Sequence, residues 1–183
     1  MFGFLLEVPK GLPETVWACK TAVKDYSWEN RNSPDMVEIC ISSASERTVE
    51  VAGREPLRVS GRSLSAVVGD IPIKGFAESG VSVEILSVAV RFDGLSARAK
   101  EFDETDLCRR DVLLIPHRAE LLGKKELDET EDILHKYIHS YVEGKASSRL
   151  ECARLALELL CRLDAIARRS EPSKTTNTST ITL

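Results

Sequence analysis

Between Val81 and Phe92 the chain reads Val-Ser-Val-Glu-Ile-Leu-Ser-Val-Ala-Val-Arg-Phe. Successive side chains of a β-strand point to opposite faces. As a strand, this segment puts Val81, Val83, Ile85, Ser87, Ala89 and Arg91 on one face. Leu86, Val88, Val90 and Phe92 take the other. Both faces are largely apolar, so the strand belongs in the middle of a sheet rather than at its edge.

The rest of the first 118 residues reads as further short strands. Thr15–Lys20 and Met36–Ile41 have strand composition, and Thr48–Val51 alternates with period two. Ala52-Gly53-Arg54-Glu55 follows as a plausible hairpin turn. Leu57–Val59 then runs into Ser60-Gly61-Arg62, read as another turn, and Leu64–Val68 ends at Gly69-Asp70. Val112–Ile115 closes the series before Pro116. Many short strands separated by frequent turn signals predict a sandwich or barrel. The polar stretch from Gly94 to Arg110 fits either a loop or a short helix.

Residues 119–169 are read as helical. Leu127, Leu134, Ile138 and Tyr141 recur at helical spacing, with Ile133 and Tyr137 widening the stripe, which predicts a helix over Lys124–Glu143. Gly144 supplies its C-terminal stop. A second helix is predicted from Ser147-Ser148 to about Arg169, with Ser148-Arg149-Leu150-Glu151 fitting a capping box. Its polar side is a narrow stripe of Glu151, Arg154, Glu158, Arg162 and Arg169. Nearly all the remaining circumference is apolar, more than docking on one partner requires. We therefore expect a homodimer through this helix, with Leu150, Ala153, Leu157, Leu160 and Asp164 at the interface. Asp164, inside the apolar arc, needs a partner, and Arg168 stands four residues on. The alternative is a helix central to a three-layer monomer. Ser170–Leu183 is dominated by Ser and Thr and is expected to be disordered.

Composition narrows the function. A net charge of -4 argues against a nucleic-acid surface on this chain, because phosphate contacts need Lys and Arg. The five cysteines, Cys19, Cys40, Cys108, Cys152 and Cys161, are odd in number and widely spaced, which suits buried free thiols in a reducing compartment. The N-terminus lacks the charge and cleavage pattern of a signal peptide, and no run reaches the length of a membrane span. A cytoplasmic protein with no membrane contact is expected.

The order of elements and two segments resemble a known family. Residues Ser147 to Asp164, Ser-Ser-Arg-Leu-Glu-Cys-Ala-Arg-Leu-Ala-Leu-Glu-Leu-Leu-Cys-Arg-Leu-Asp, look like the linker helix of AraC-type transcription regulators. The stretch from Val49-Glu50-Val51-Ala52-Gly53-Arg54 to Val68-Gly69-Asp70-Ile71-Pro72 resembles the family's cupin sensor domain, where a glycine-turn hairpin leads to a Gly-Asp step. The resemblance covers about the first 170 residues. It implies a cupin-like β-barrel (a double-stranded β-helix) followed by two antiparallel helices. It also implies a small-molecule effector, dimerisation through the helices, and DNA contact only through a helix-turn-helix domain, which is absent from these residues.

Catalysis is not expected. Metal cupins use imidazole ligands, and the histidines here are His117, His135 and His139, none within residues 1–116. His135 and His139, four apart with Glu131 in the same row, have zinc-compatible spacing, but solvated histidines are the commoner case and no metal or other cofactor is expected. No nucleophile constellation or phosphate-binding glycine loop stands out. For an effector such as a sugar, the candidate residues are Trp17, Tyr26, Trp28, Arg31, Glu38 and Arg91, aromatic or charged groups near strands. If Val37, Ile39 and Ile41 face the core, Glu38 faces away and matters only where that second face lines the barrel. Arg91 carries the same ambiguity. The alternatives are a small cupin enzyme (an isomerase or oxygenase) and a ligand-free dimerisation scaffold.

Overall fold

A computed structural model of the chain describes residues 11–51, 55–70, 72–92, 112–115 and 123–169. Within them, seven strands precede two helices: β1 (Glu14–Lys24), β2 (Ser27–Glu29), β3 (Met36–Val51), β4 (Leu57–Val68), β5 (Ile73–Phe76), β6 (Ser82–Arg91), β7 (Val112–Ile115), α1 (Lys124–Glu143) and α2 (Ala146–Arg169). Every strand pair is antiparallel. The main order is β1-β6-β3-β4-β7, with β5 joining β3 to β2. The twice-apolar strand β6 indeed sits between two neighbours, β1 and β3. β3 is the organising strand. Its first half, residues 36–43, pairs with β6, and its last four residues, 48–51, pair with β5, while β4 follows it along nearly its whole length. One long strand shared in this way curls the sheet into a mostly antiparallel half-barrel.

β3 and β4 correct the reading of four short strands here. The Ser60-Gly61-Arg62 segment lies inside β4 and makes no chain-reversing turn. Gly61 adopts φ 71°, which glycine takes without steric cost, and stands opposite Ala44. Beyond that pair, Ser45 and Glu46 on β3 face the single residue Ser60 on β4 before regular pairing resumes at Arg47↔Val59. This is a β-bulge, one extra residue that bends its strand. The extra residue also inverts the alternation of β3. Glu38 and Cys40 lie on the concave side before the bulge, and Arg47 and Val49 lie on it afterwards.

The two faces of the sheet are buried differently. Val37, Ile39 and Ile41 of β3, Leu64, Ala66 and Val68 of β4, and Leu86, Val88 and Val90 of β6 form one apolar core with the helices. α1 contributes Leu127, Ile133, Leu134 and Tyr137, and α2 contributes Leu155, Leu159 and Leu163 among others. Tyr137 is fully buried, and its hydroxyl hydrogen-bonds Thr15 of β1 at 2.7 Å, tying α1 to the sheet. Arg62 of β4 reaches Glu131 of α1 at 2.8 Å and also pairs with Asp128, while Arg162 of α2 bonds Glu129 of α1 at 3.0 Å. The concave face carries a smaller apolar group, Val49, Val59, Val67 and Ile73, with Trp28 and Leu57 packed against it.

α1 has the bounds its periodicity predicts, and Gly144 closes it in the left-handed conformation at φ 65°. α2 begins at Ala146, ahead of the predicted capping box. The Arg149 N–H already donates to the Lys145 carbonyl at 3.3 Å, so Ser148 lies within the first turn and cannot cap it. Its hydroxyl donates instead to Glu143 at 3.4 Å, and both Glu151 carboxylate oxygens accept from Arg154. The thiols also depart from expectation: Cys152 is buried, Cys19 and Cys40 are half-buried, and Cys161 is exposed. Among the described residues no helix is long and apolar enough to cross a membrane. The expected glycine turn at 52–54, the 94–110 stretch, the 170–183 tail, Cys108 and His117 lie outside the described residues, as does the side chain of Arg168.

Candidate ligand-binding cleft

Among the described residues two charged side chains are buried, Glu38 at 7% exposure and Arg47 at 6%. They stand on the same strand on opposite sides of its bulge, and both line one cleft in the concave face. Cys40 and Val49 of β3, Ser65 and Val67 of β4, Ile73 and Gly75 of β5, and the rings of Tyr26 and Trp28 complete the lining. The face opposite the helix core is therefore the one that matters for Glu38. The strongly apolar residues of β3 went under the helices, and the mixed set lines the half-barrel.

Local chemistry places the aromatic wall. Asp25, at φ 53°, turns the chain between β1 and β2, and its carboxylate accepts from Ser79 Oγ at 3.2 Å and the Gly80 N–H at 3.1 Å. The Ala77 N–H donates to the Tyr26 carbonyl at 3.0 Å, pinning the tyrosine beside β5. Trp28 lies opposite Gly75 in the β2–β5 ladder. A side chain at Gly75 would put its Cβ 3.2 Å from the Tyr26 hydroxyl oxygen and 3.6 Å from the Trp28 ring. The glycine is what lets both rings close over the strand.

The polar groups are held firmly but incompletely matched. Arg47 Nη2 donates to Ser63 Oγ at 2.6 Å, and Ser63 lies 3.4 Å from Ser42 Oγ. Arg47 Nε has no hydrogen-bond partner, and no described carboxylate pairs with the guanidinium. Glu38 accepts a hydrogen bond from Ser87 Oγ at 3.2 Å. Burial pushes its carboxyl up to about 7, with the Ser87 bond pulling the other way. Burial likewise raises the Tyr26 phenol to about 12, partly offset by Arg47. The Cys40 thiol is raised to about 12 by burial and by Glu38, so it is an inert wall group rather than a nucleophile. The free volume is small, about 30 Å³. Pockets that engulf drug-sized ligands start at roughly 300 Å³.

The cleft thus unites Tyr26, Trp28 and Glu38 of the sequence candidates and leaves out three. Arg31 is exposed, beyond the end of β2. Trp17 is half-buried on β1, opposite Ala89, and does not line the cleft. Arg91 pairs with Asp35 at 3.4 Å and Glu14 at 3.7 Å. It borders a separate hollow of about 620 Å³ between the start of β1 and the α1–α2 junction. Arg47, Cys40, Ser65 and Gly75 were missed. Period-two counting across an unseen bulge puts Arg47 on the wrong face, and no local sequence signal marks that bulge.

The helix candidates are spread over a gradient of burial. Ala153 is 2% exposed, its surface already taken within the chain, and Leu150, Leu160 and Asp164 are half-buried. Leu157 is 38% exposed. On α1, His135 lies 3.8 Å from Glu131, and His139 lies 3.4 Å from Glu143. The two histidines thus pair with different carboxylates. Among the described residues no group of three or more His, Cys, Asp or Glu is placed to hold a metal.

No family model matches the chain, and no curated protein matches it. Among solved structures, ToxT from Vibrio cholerae (1.65 Å, P21 form) is 11% identical over 67% of this chain and 47% of that one, with TM-score 0.44. Unsaturated fatty acid bound wild-type ToxT from strain SCE256 is 10% identical over 82% of this chain and 56% of that one, with TM-score 0.45. A de novo designed double-stranded β-helix is 14% identical over 42% of this chain and 97% of that one, with TM-score 0.31. The chain spans about half the length of the ToxT chains it matches. At this distance the matches assign no family.

Proposed function

We propose that this chain is the effector-sensing and dimerisation unit of an AraC-type transcription regulator, cytoplasmic and non-catalytic. It takes a small polar molecule in the concave cleft and pairs with a second copy through α2. DNA contact is assigned to a helix-turn-helix domain and not to this acidic unit. The observation that carries the sensing role is the cleft itself, where the two buried charged side chains, Glu38 and Arg47, meet an aromatic wall without pairing with each other. Structural charges in a core are normally paired, and a fold gains nothing from burying them apart. Polar groups converging beside aromatic rings suit recognition. Catalysis is disfavoured by the donor set, since the strands supply no histidine and the cleft thiol is held far from ionisation.

The small free volume favours a second reading, a dimerisation scaffold whose barrel no longer takes a ligand. Ligand-observed NMR on the purified chain, with a panel of sugars, polyols and small acids, separates the two. Sensing predicts saturable binding by at least one class, weakened at least tenfold in Trp28→Ala. Binding by none, or binding unchanged in Trp28→Ala, returns the cleft to a structural role.

A further inference from the structure

A buried guanidinium without a counter-charge is an expensive arrangement, which is why truncating one partner of a buried ion pair is strongly destabilising. Arg47 is in that position here: 6% exposed, its guanidinium beside the neutral hydroxyls of Ser63 and Tyr26, Nε without an acceptor, and no carboxylate in ion-pair range among the described residues. The carboxyl in the same cleft makes no ion pair with it, and Glu38 accepts from Ser87 instead. Every other neighbour that lines the cleft is neutral. We propose that the missing counter-charge is the ligand's, and that the cleft takes a small carboxylate whose oxygens face Arg47. This rests on the sensing reading above and narrows it from polar molecules in general to anions.

The chemistry of the walls sets the rest of the ligand. Guanidinium and carboxylate match as planar forks, which arginine offers and lysine does not. The Tyr26 hydroxyl remains a donor throughout the accessible pH range, because its phenol ionises only near 12. Free space of about 30 Å³ admits an acid of a few heavy atoms, not a long chain or a ring. Glu38, where protonated, can donate to a hydroxyl on that acid.

The test uses the full chain labelled with ¹⁵N, following the Arg47 Nε–H resonance during titration with acetate and with glycolate, against sodium chloride at equal ionic strength. The proposal predicts a saturable downfield shift with the acids and none with chloride. Arg47→Lys should weaken binding at least tenfold, read from ligand-observed NMR, with the folded spectrum kept. A shift no larger than chloride's up to about 100 mM acid, far weaker than the best binding open to so small a ligand, overturns it. So does equal acid binding by Arg47→Lys. Saturable binding of a neutral sugar or polyol, with no response to the acids, overturns the anion proposal and leaves the sensing function standing. Silence from every probe removes both.

Discussion

Glu38 shows how one side chain couples burial to pH. Its carboxyl ionises near 4.5 in an unfolded chain and about 7 in the fold, because burial disfavours the charged form. Between those values the folded chain holds more protons than the unfolded one. Stability from this group is therefore greatest below about 4.5, falls as pH rises to about 7, and is constant above that. The shift is equivalent to about 3 kcal/mol. Glu38→Gln removes the ionisation, so the variant should match wild type near pH 4.5 and exceed it by up to about 3 kcal/mol at pH 8. Urea denaturation of both proteins across that range checks this, and a pH-independent difference would show that Glu38 is not the source.

At the scale of elements, the bulge in β3 decides what the cleft contains. Ser45 and Glu46 are exposed at the bulge, while Arg47 and Val49 beyond it are buried. Deleting Ser45 would restore strict pairing with β4, with Glu46 opposite Ser60 and Arg47 still opposite Val59. Arg47 and Val49 would keep their face, and only the local bend of the bulge would be lost. The deletion is therefore expected to leave Val49 against Val59, Val67 and Ile73 and to cost less than about 3 kcal/mol, the scale set by losing a valine to solvent and burying a carboxylate. Ser45→Ala, which keeps the residue count, should change stability by less than about 0.5 kcal/mol. A larger loss for the deletion in thermal melting would mean that the strand turns over instead, because a one-residue slip moves every side chain to the other face.

For the whole molecule, the question is what α2 does with the surface left after it packs on α1 and the sheet. Leu150, Ala153, Leu157, Leu160 and Asp164 follow one another at intervals of three and four, a stripe beside the buried Leu155, Leu159 and Leu163. Intrachain packing consumes the Ala153 end of its width and leaves Leu157 outermost. The proposed pairing of α2 across a two-fold axis predicts that Leu157→Glu converts a dimer to a monomer in light scattering while the far-ultraviolet circular dichroism stays unchanged. A wild-type monomer would confine the helix to one subunit, and a variant that remains dimeric would move the interface elsewhere.

Much of this architecture is legible in the residues alone. The apolar faces of Val81–Phe92 require a strand with neighbours on both sides, and the spacing of Leu127, Leu134 and Ile138 requires a helix, because both patterns are local consequences of backbone geometry. Gly144 marks a helix end for the same reason: its left-handed conformation is a property of the residue. What the tertiary structure alone decided is which of two buried faces is the dry one. Val37, Ile39 and Ile41 identify the face that needs apolar cover, but only the docking of α1 and α2 there leaves the Glu38 face to the half-barrel. Arg47 joins Glu38 across a bulge formed by long-range pairing with β4, and alternation read along one strand cannot register a residue that its partner leaves unpaired.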